Sequence, residues 1–135
     1  MDAVEVLLVE DNTGDAIMIR RALYECPVPV TLHVARDGEQ ALLMLTNPHV
    51  PLDLIILNLN LPKVTGTALL QRWPFKAIPV VVFSSSTNPA EKERCLALGA
   101  CEFVSKPINL DEFNETVCRI VGKWAMPWAV SSVLL

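Results

Sequence analysis

The sequence predicts an α/β fold: one parallel sheet of five strands, each followed by a helix, in a single domain. Three observations carry the prediction. Five short apolar runs recur along the chain, at Val4 to Val9, Val30 to Ala35, Leu54 to Leu57, Val80 to Phe83 and, more weakly, Glu102 to Ser105. Runs of this kind belong to strands covered on both faces, as in parallel sheets. Helix-start signals fall between them, and strict βα alternation gives a parallel, doubly wound sheet. Finally, 52% of the 135 residues are hydrophobic, against roughly 45–50% in an average soluble protein. That excess suits a sheet buried on both sides, an oligomer interface, or both.

The elements follow in order. After the first run, Asn12 is placed to cap a helix reaching about Glu25, with Ala16, Ile19 and Leu23 on one face. After the second, Asp37-Gly38-Glu39-Gln40 resembles a capping box, and a helix through Leu45 follows. After the third, Thr65 to Trp73 forms a short helix stopped by Pro74. After the fourth, Asn88-Pro89-Ala90-Glu91 sets Asn at the cap, Pro at the first helical position and Glu at the third, and Gly99 ends the helix. After the fifth, Asn109-Leu110-Asp111-Glu112 repeats the capping pattern, and Phe113, Val117, Ile120 and Val121 form the buried stripe. The helical pattern fades at Gly122. The expected division is a domain over residues 1–122 and an apolar arm over 123–135, whose Trp124, Met126, Trp128, Val130, Val133, Leu134 and Leu135 serve dimerisation or packing.

Composition excludes several classes. A net charge of −4 disfavours a nucleic-acid binder, which shows a basic patch or stripe. The acidic start Met1-Asp2-Ala3-Val4-Glu5 lacks the basic region of a secretory signal. No apolar run reaches the roughly 18 residues of a membrane helix. A cytoplasmic protein is expected, without nucleic-acid or membrane partners. Cys26, Cys95, Cys101 and Cys118 form no CxxC pair, so four reduced cysteines acting as small buried hydrophobes are expected. His33 and His49 stand far from them and are expected to be ordinary residues rather than metal ligands.

In open parallel sheets, functional groups gather beyond the C-terminal ends of the strands. There stand Glu10-Asp11-Asn12, Asn58-Leu59-Asn60, Ser84-Ser85-Ser86 and Lys106-Pro107. Adjacent carboxylates repel one another, and a hard divalent cation such as Mg2+, which prefers oxygen ligands, relieves that repulsion. A lysine and a hydroxyl facing the same ion suit phosphoryl chemistry, which rests on positioning and charge neutralisation. The plainer alternative, that Glu10 and Asp11 only favour the dipole of the next helix, does not account for Lys106 and Ser84 converging on the same edge.

The segments LLVEDNTGDA, DLIILNLNLPKVTG, IPVVVFSSS, LGACEFVSKP and NLDEF, in this order and spacing over about residues 4 to 121, resemble the receiver domains of two-component response regulators. The third segment and the Trp/Pro-containing tail look most like small regulators that partner bacterial phytochromes. The resemblance implies a flavodoxin-like (βα)5 receiver fold and a phosphorelay role with a sensor histidine kinase or phosphotransfer domain as partner. It implies Mg2+ held by Glu10, Asp11 and the Asn60 carbonyl, Ser84 and Phe103 as switch residues, Lys106 as partner of the phosphoryl group, and a cis peptide before Pro107. Homodimers are implied as well, with the face around Cys95, Phe103 and Cys118 completing the arm's interface.

Asn58 falls where the resemblance puts the phosphoryl-accepting aspartate. A carboxylate is nucleophilic and forms an acyl phosphate; a neutral carboxamide does not. Asn58 also removes one anionic ligand, so weak Mg2+ binding is expected. Lys63-Val64-Thr65-Gly66 lacks the usual Asp-Gly too, which favours natural divergence over a change made to silence the site. Two functions fit: a signalling module without enzymatic activity that binds a kinase with its acceptor blocked, or a pseudo-receiver working independently of phosphorylation. A flavin enzyme would need a phosphate cradle after the first strand, where Glu10 and Asp11 repel phosphate.

Overall fold

A computed structural model of the chain describes residues 3–46, 51–61, 64–72 and 77–125. It contains β1 (Val4–Val9), α1 (Thr13–Glu25), β2 (Val30–Ala35), α2 (Gly38–Thr46), β3 (Leu54–Leu57), α3 (Gly66–Arg72), β4 (Val80–Ser84), α4 (Pro89–Ala97), β5 (Glu102–Ser105) and α5 (Leu110–Ile120), then a π-helical turn, Val121–Ala125. The five strands form one parallel sheet in the order β2-β1-β3-β4-β5. This is the fold the sequence predicts.

The sheet divides two cores. Val6, Leu8, Leu54, Ile56, Val81 and Phe83 pack with Ile19, Ala22 and Leu23 of α1 and Phe113, Val117 and Ile120 of α5. Leu7, Val9, Ile55, Leu57, Val80 and Val82 face the other way, against Ala41 and Leu45 of α2, Leu69 and Leu70 of α3 and Cys95 of α4. Alternate side chains along each central strand are therefore buried on opposite faces, which explains runs without polar interruption.

The helix starts are built as their sequences dictate. Asn12, Asn88 and Asn109 each accept a hydrogen bond from a first-turn amide, at 2.9 Å from Asp15, 3.0 Å from Ala90 and 3.1 Å from Glu112. Asp37 caps α2 through the Gln40 amide at 2.7 Å. The Gln40 side chain reaches back one residue further than a capping box requires, to the Arg36 amide. Gly99, at φ 111°, turns the chain out of α4 where a side chain would be strained.

Three expectations are corrected. Cys26 and Cys118 form a disulfide, with Cα atoms 5.6 Å apart at a sequence separation of 92. Only Cys95 is a buried free thiol, and Cys101 is exposed. The pairing is set by α1 lying against α5, a long-range contact that spacing does not reveal. The helical path does not fade at Gly122 but runs on to Ala125, and Trp124 folds back to donate to Glu102 Oε1 at 2.8 Å. The Lys106–Pro107 peptide is trans rather than cis, the isomer ordinarily preferred before proline by about 0.5–1 kcal/mol. The remainder of the arm, residues 126–135, lies outside the described residues.

Candidate functional site

The strand ladders deliver the acidic residues to one edge. The Glu10 amide donates to Ala35 O and the Asn58 amide to Val9 O, both at 3.0 Å, extending β1 and β3 by one residue beyond their neighbours. The Lys106 amide donates to Ser84 O at 2.7 Å, which does the same for β5 beside β4. Glu10, Asn58 and Lys106 thus stand together although the chain separates them widely.

Glu10 is fully buried, so its charge needs partners. It has two. Its Oε1 accepts from Lys106 Nζ at 2.7 Å, and its Oε2 accepts from Asn58 Nδ2 at 2.8 Å. The same Nδ2 makes longer contacts with Asp11 Oδ1 at 3.4 Å and Asn60 O at 3.5 Å. Every atom facing Nδ2 is an acceptor, so the carboxamide is oriented with its NH2 group toward them. The three oxygens assigned to a metal by resemblance therefore do converge on one point, and that point is filled by the Asn58 NH2. The donor set suits a divalent cation once the amide is displaced.

Lys106 also donates to Asp15 Oδ2 at 2.8 Å, and its ammonium lies 5.9 Å from the centre of the Phe83 ring. Burial pushes its pKa down, but hydrogen bonds and charge from Asp15 and Glu10 outweigh burial and hold it above the ordinary lysine value. Sequence reasoning missed Asp15. Its only signal was an acidic residue in the first turn of α1, which ordinarily marks a dipole partner.

The other predicted residues are less central. Ser84 is buried, and its Oγ accepts from the Ser86 amide at 3.1 Å, holding the turn after β4. Phe103 packs into the core beneath α2, α3 and α4 and lines a groove of about 320 Å3 with Thr87, Asn88, Pro89, Lys92 and Ser105. Of the three side chains expected to complete a dimer face, Cys95 is fully buried, Cys118 is half-buried and tied to Cys26, and Phe103 reaches the surface only in this groove. Among the described residues no helix is long and apolar enough to cross a membrane.

A five-stranded parallel sheet with an acidic pair, a lysine and a buried serine at its C-terminal edge defines the receiver class. Residues 6–118 match the family of the response regulator receiver domain, and the chain belongs to that family, a module of two-component signal transduction. It is 31% identical to the two-component response regulator ARR17 of Arabidopsis thaliana, over 90% of this chain and 87% of the relative. Its fold resembles the phosphorylated cyanobacterial phytochrome response regulator RcpA, with TM-score 0.85 and 33% identity over 93% of this chain and 96% of the other. It also resembles the Mn2+-bound response regulator Rcp1, with TM-score 0.81 and 30% identity over 92% and 96%. These relatives are signalling regulators rather than classical enzymes.

Proposed function

We propose that this receiver acts by protein–protein interaction with a sensor histidine kinase of the phytochrome type, or its phosphotransfer domain, and that Asn58 blocks its acceptor position. One observation carries the reading: the Asn58 side chain is held as a hydrogen-bond donor to Glu10, Asp11 and the Asn60 carbonyl. A carboxamide is uncharged and its nitrogen lone pair is delocalised into the carbonyl, so it is a poor nucleophile toward phosphorus where a carboxylate is a competent one. The similarity to phytochrome response regulators supports the choice of partner.

Mg2+ binds weakly in this reading. Glu10, Asp11 and the Asn60 carbonyl would hold it, and when bound it supplies charge neutralisation for a phosphoryl group. The carboxamide must first leave the point where those oxygens meet, and Mg2+ sheds its own waters reluctantly. The protein works in the cytoplasm, without nucleic-acid or membrane partners, as a homodimer to which the arm over residues 123–135 contributes. A second reading, a pseudo-receiver independent of phosphorylation, is favoured by the ion pairs of Lys106 with Glu10 and Asp15, which satisfy the lysine without any phosphoryl group.

The deciding measurement is intact mass after incubation with acetyl phosphate and Mg2+. The chain is expected to stay unmodified, and Asn58→Asp to gain about 80 Da, one phosphoryl group. An adduct on the unaltered chain overturns the blocked acceptor. An unmodified Asn58→Asp variant selects the pseudo-receiver, since the rest of the pocket would then be incompetent as well.

A further inference from the structure

A second cluster of reactive side chains lies on the far side of the α1–α5 seam. Cys26 sits at the C-terminal cap of α1 and Cys118 near the end of α5. Their sulfurs are joined, and their Cα atoms are 5.6 Å apart. Cys26 is 9% exposed, while Cys118 is half-buried. Around them Ile19, Ala22, Leu23, Val117 and Val121 pack the two helices together. That packing is made by apolar side chains rather than by the sulfurs, so reduction is expected to leave the two thiols facing each other. Ring closure between groups held in this way is intramolecular and outcompetes capture of a second molecule. The other thiols are placed differently: Cys95 is fully buried in α4, and Cys101 lies exposed in the turn before β5.

We propose that Cys26 and Cys118 form a reversible thiol–disulfide site whose co-reactant is a small-molecule disulfide of the glutathione class. Its oxidation state sets how firmly α5, and the chain that continues from it, is held to α1. In the forward direction the Cys118 thiolate attacks one sulfur of the oxidised co-reactant, breaking its S–S bond and releasing one small thiol. The Cys26 thiolate then attacks Cys118 sulfur in the mixed disulfide and releases the second. Two protein S–H bonds are lost and one S–S bond is gained. The two electrons and two protons leave on the two small thiols, and reduction is the reverse sequence. A cross-link spanning 92 positions removes a large share of the unfolded chain's freedom. In a reducing compartment such a bond is transient and reports on redox conditions.

The test equilibrates the folded full chain in buffers from reduced to oxidised glutathione, quenches with acid, alkylates the free thiols and maps them by peptide mass. Thermal unfolding is followed in parallel. Cys26 and Cys118 are expected to lose alkylation together while Cys95 and Cys101 keep it. The melting temperature is expected to rise on the order of 10 °C between the two ends. Cys118→Ser and Cys118→Ala abolish that rise, and Cys101→Ser preserves it. A glutathione adduct at Cys101 as the sole change overturns the proposal, as does alkylation of Cys26 and Cys118 that is unchanged across the series. A bond that opens only when the chain unfolds also overturns it, because the site would then be a permanent cross-link.

Discussion

Glu10 shows how the side chain at position 58 helps to organise the site. A buried carboxylate must be neutralised, and here an ammonium takes one oxygen and a carboxamide the other. In Asn58→Asp the amide donor becomes a third carboxylate beside Glu10 and Asp11. Losing a buried donor of this kind costs about 1–3 kcal/mol. The variant is therefore expected to unfold at lower urea than the parent in EDTA and to recover most of the difference in Mg2+, while the parent responds little. Equal midpoints in EDTA would show that the carboxamide does not stabilise the metal-free pocket. Asp15 offers a second probe. Asp15→Ala removes one charge-assisted bond from Lys106 but leaves the Glu10 bond, so a loss of about 1–2 kcal/mol is expected in urea titrations at pH 7. The raised Lys106 pKa gives the sign of the pH effect. The stabilisation is complete below the ordinary lysine pKa of about 10.4 and is lost as pH rises through the higher folded value. On the alkaline side, the difference between parent and Asp15→Ala should accordingly persist until strong alkali.

The elements carry their own tests. Gly66 opens α3, where its amide donates to Leu59 O at 2.9 Å. A Cβ there would stand 2.6 Å from Leu59 Cα and 2.7 Å from Asn58 O, so Gly66→Ala presses a side chain against the backbone at Asn58 and Leu59. An overpacking loss of about 1–3 kcal/mol is expected, with amide shifts at residues 58 and 59 in NMR spectra. At the start of β5, Glu102 gathers Arg119, Lys123 and Trp124. Burial pushes its pKa up, but the Trp124 and Arg119 hydrogen bonds and the two positive charges prevail and lower it. The clamp is thus fully present above the ordinary glutamate pKa of about 4.3 and fades as pH falls through the lower folded value. Glu102→Gln is expected to cost about 1 kcal/mol at pH 7 and to flatten the acid side of the stability profile.

Local signals explain why the strands and helix caps were legible in the sequence. An apolar run, an asparagine cap and a proline at the first helical position act through neighbours a few residues away. The pocket positions were legible as a set because strand ends are a topological certainty once βα alternation is seen. What sequence reading could not reach was pairing across distance: Asp15 with Lys106, Cys26 with Cys118, and Trp124 with Glu102. Each depends on how helices settle against the sheet. The orientation of the Asn58 amide depends likewise on which acceptors surround it.

At the scale of the whole molecule, two helices on one face and three on the other leave β2 and β5 as the sheet's margins. The proposed homodimer is tested by sedimentation of the full chain and of a chain ending at Ala125, since Trp124 and Ala125 pack against the core. Dissociation of the shorter chain at micromolar concentration is expected; a monomeric full chain would remove the dimer from the scheme. The Cys26–Cys118 bond has one further consequence, a mechanical one. Pulled by its two ends, the oxidised chain transmits load directly from position 26 to position 118. The force is carried by β1 and α1 on one side and by the end of α5 on the other, while β2, β3, β4 and β5 lie in the bypassed loop. At roughly 3.5 Å per extended residue, only the short outer segments can lengthen, about a third of the extension of the reduced chain. A single-molecule stretching curve that releases the hidden length on addition of a reductant would make the bond visible as a tether.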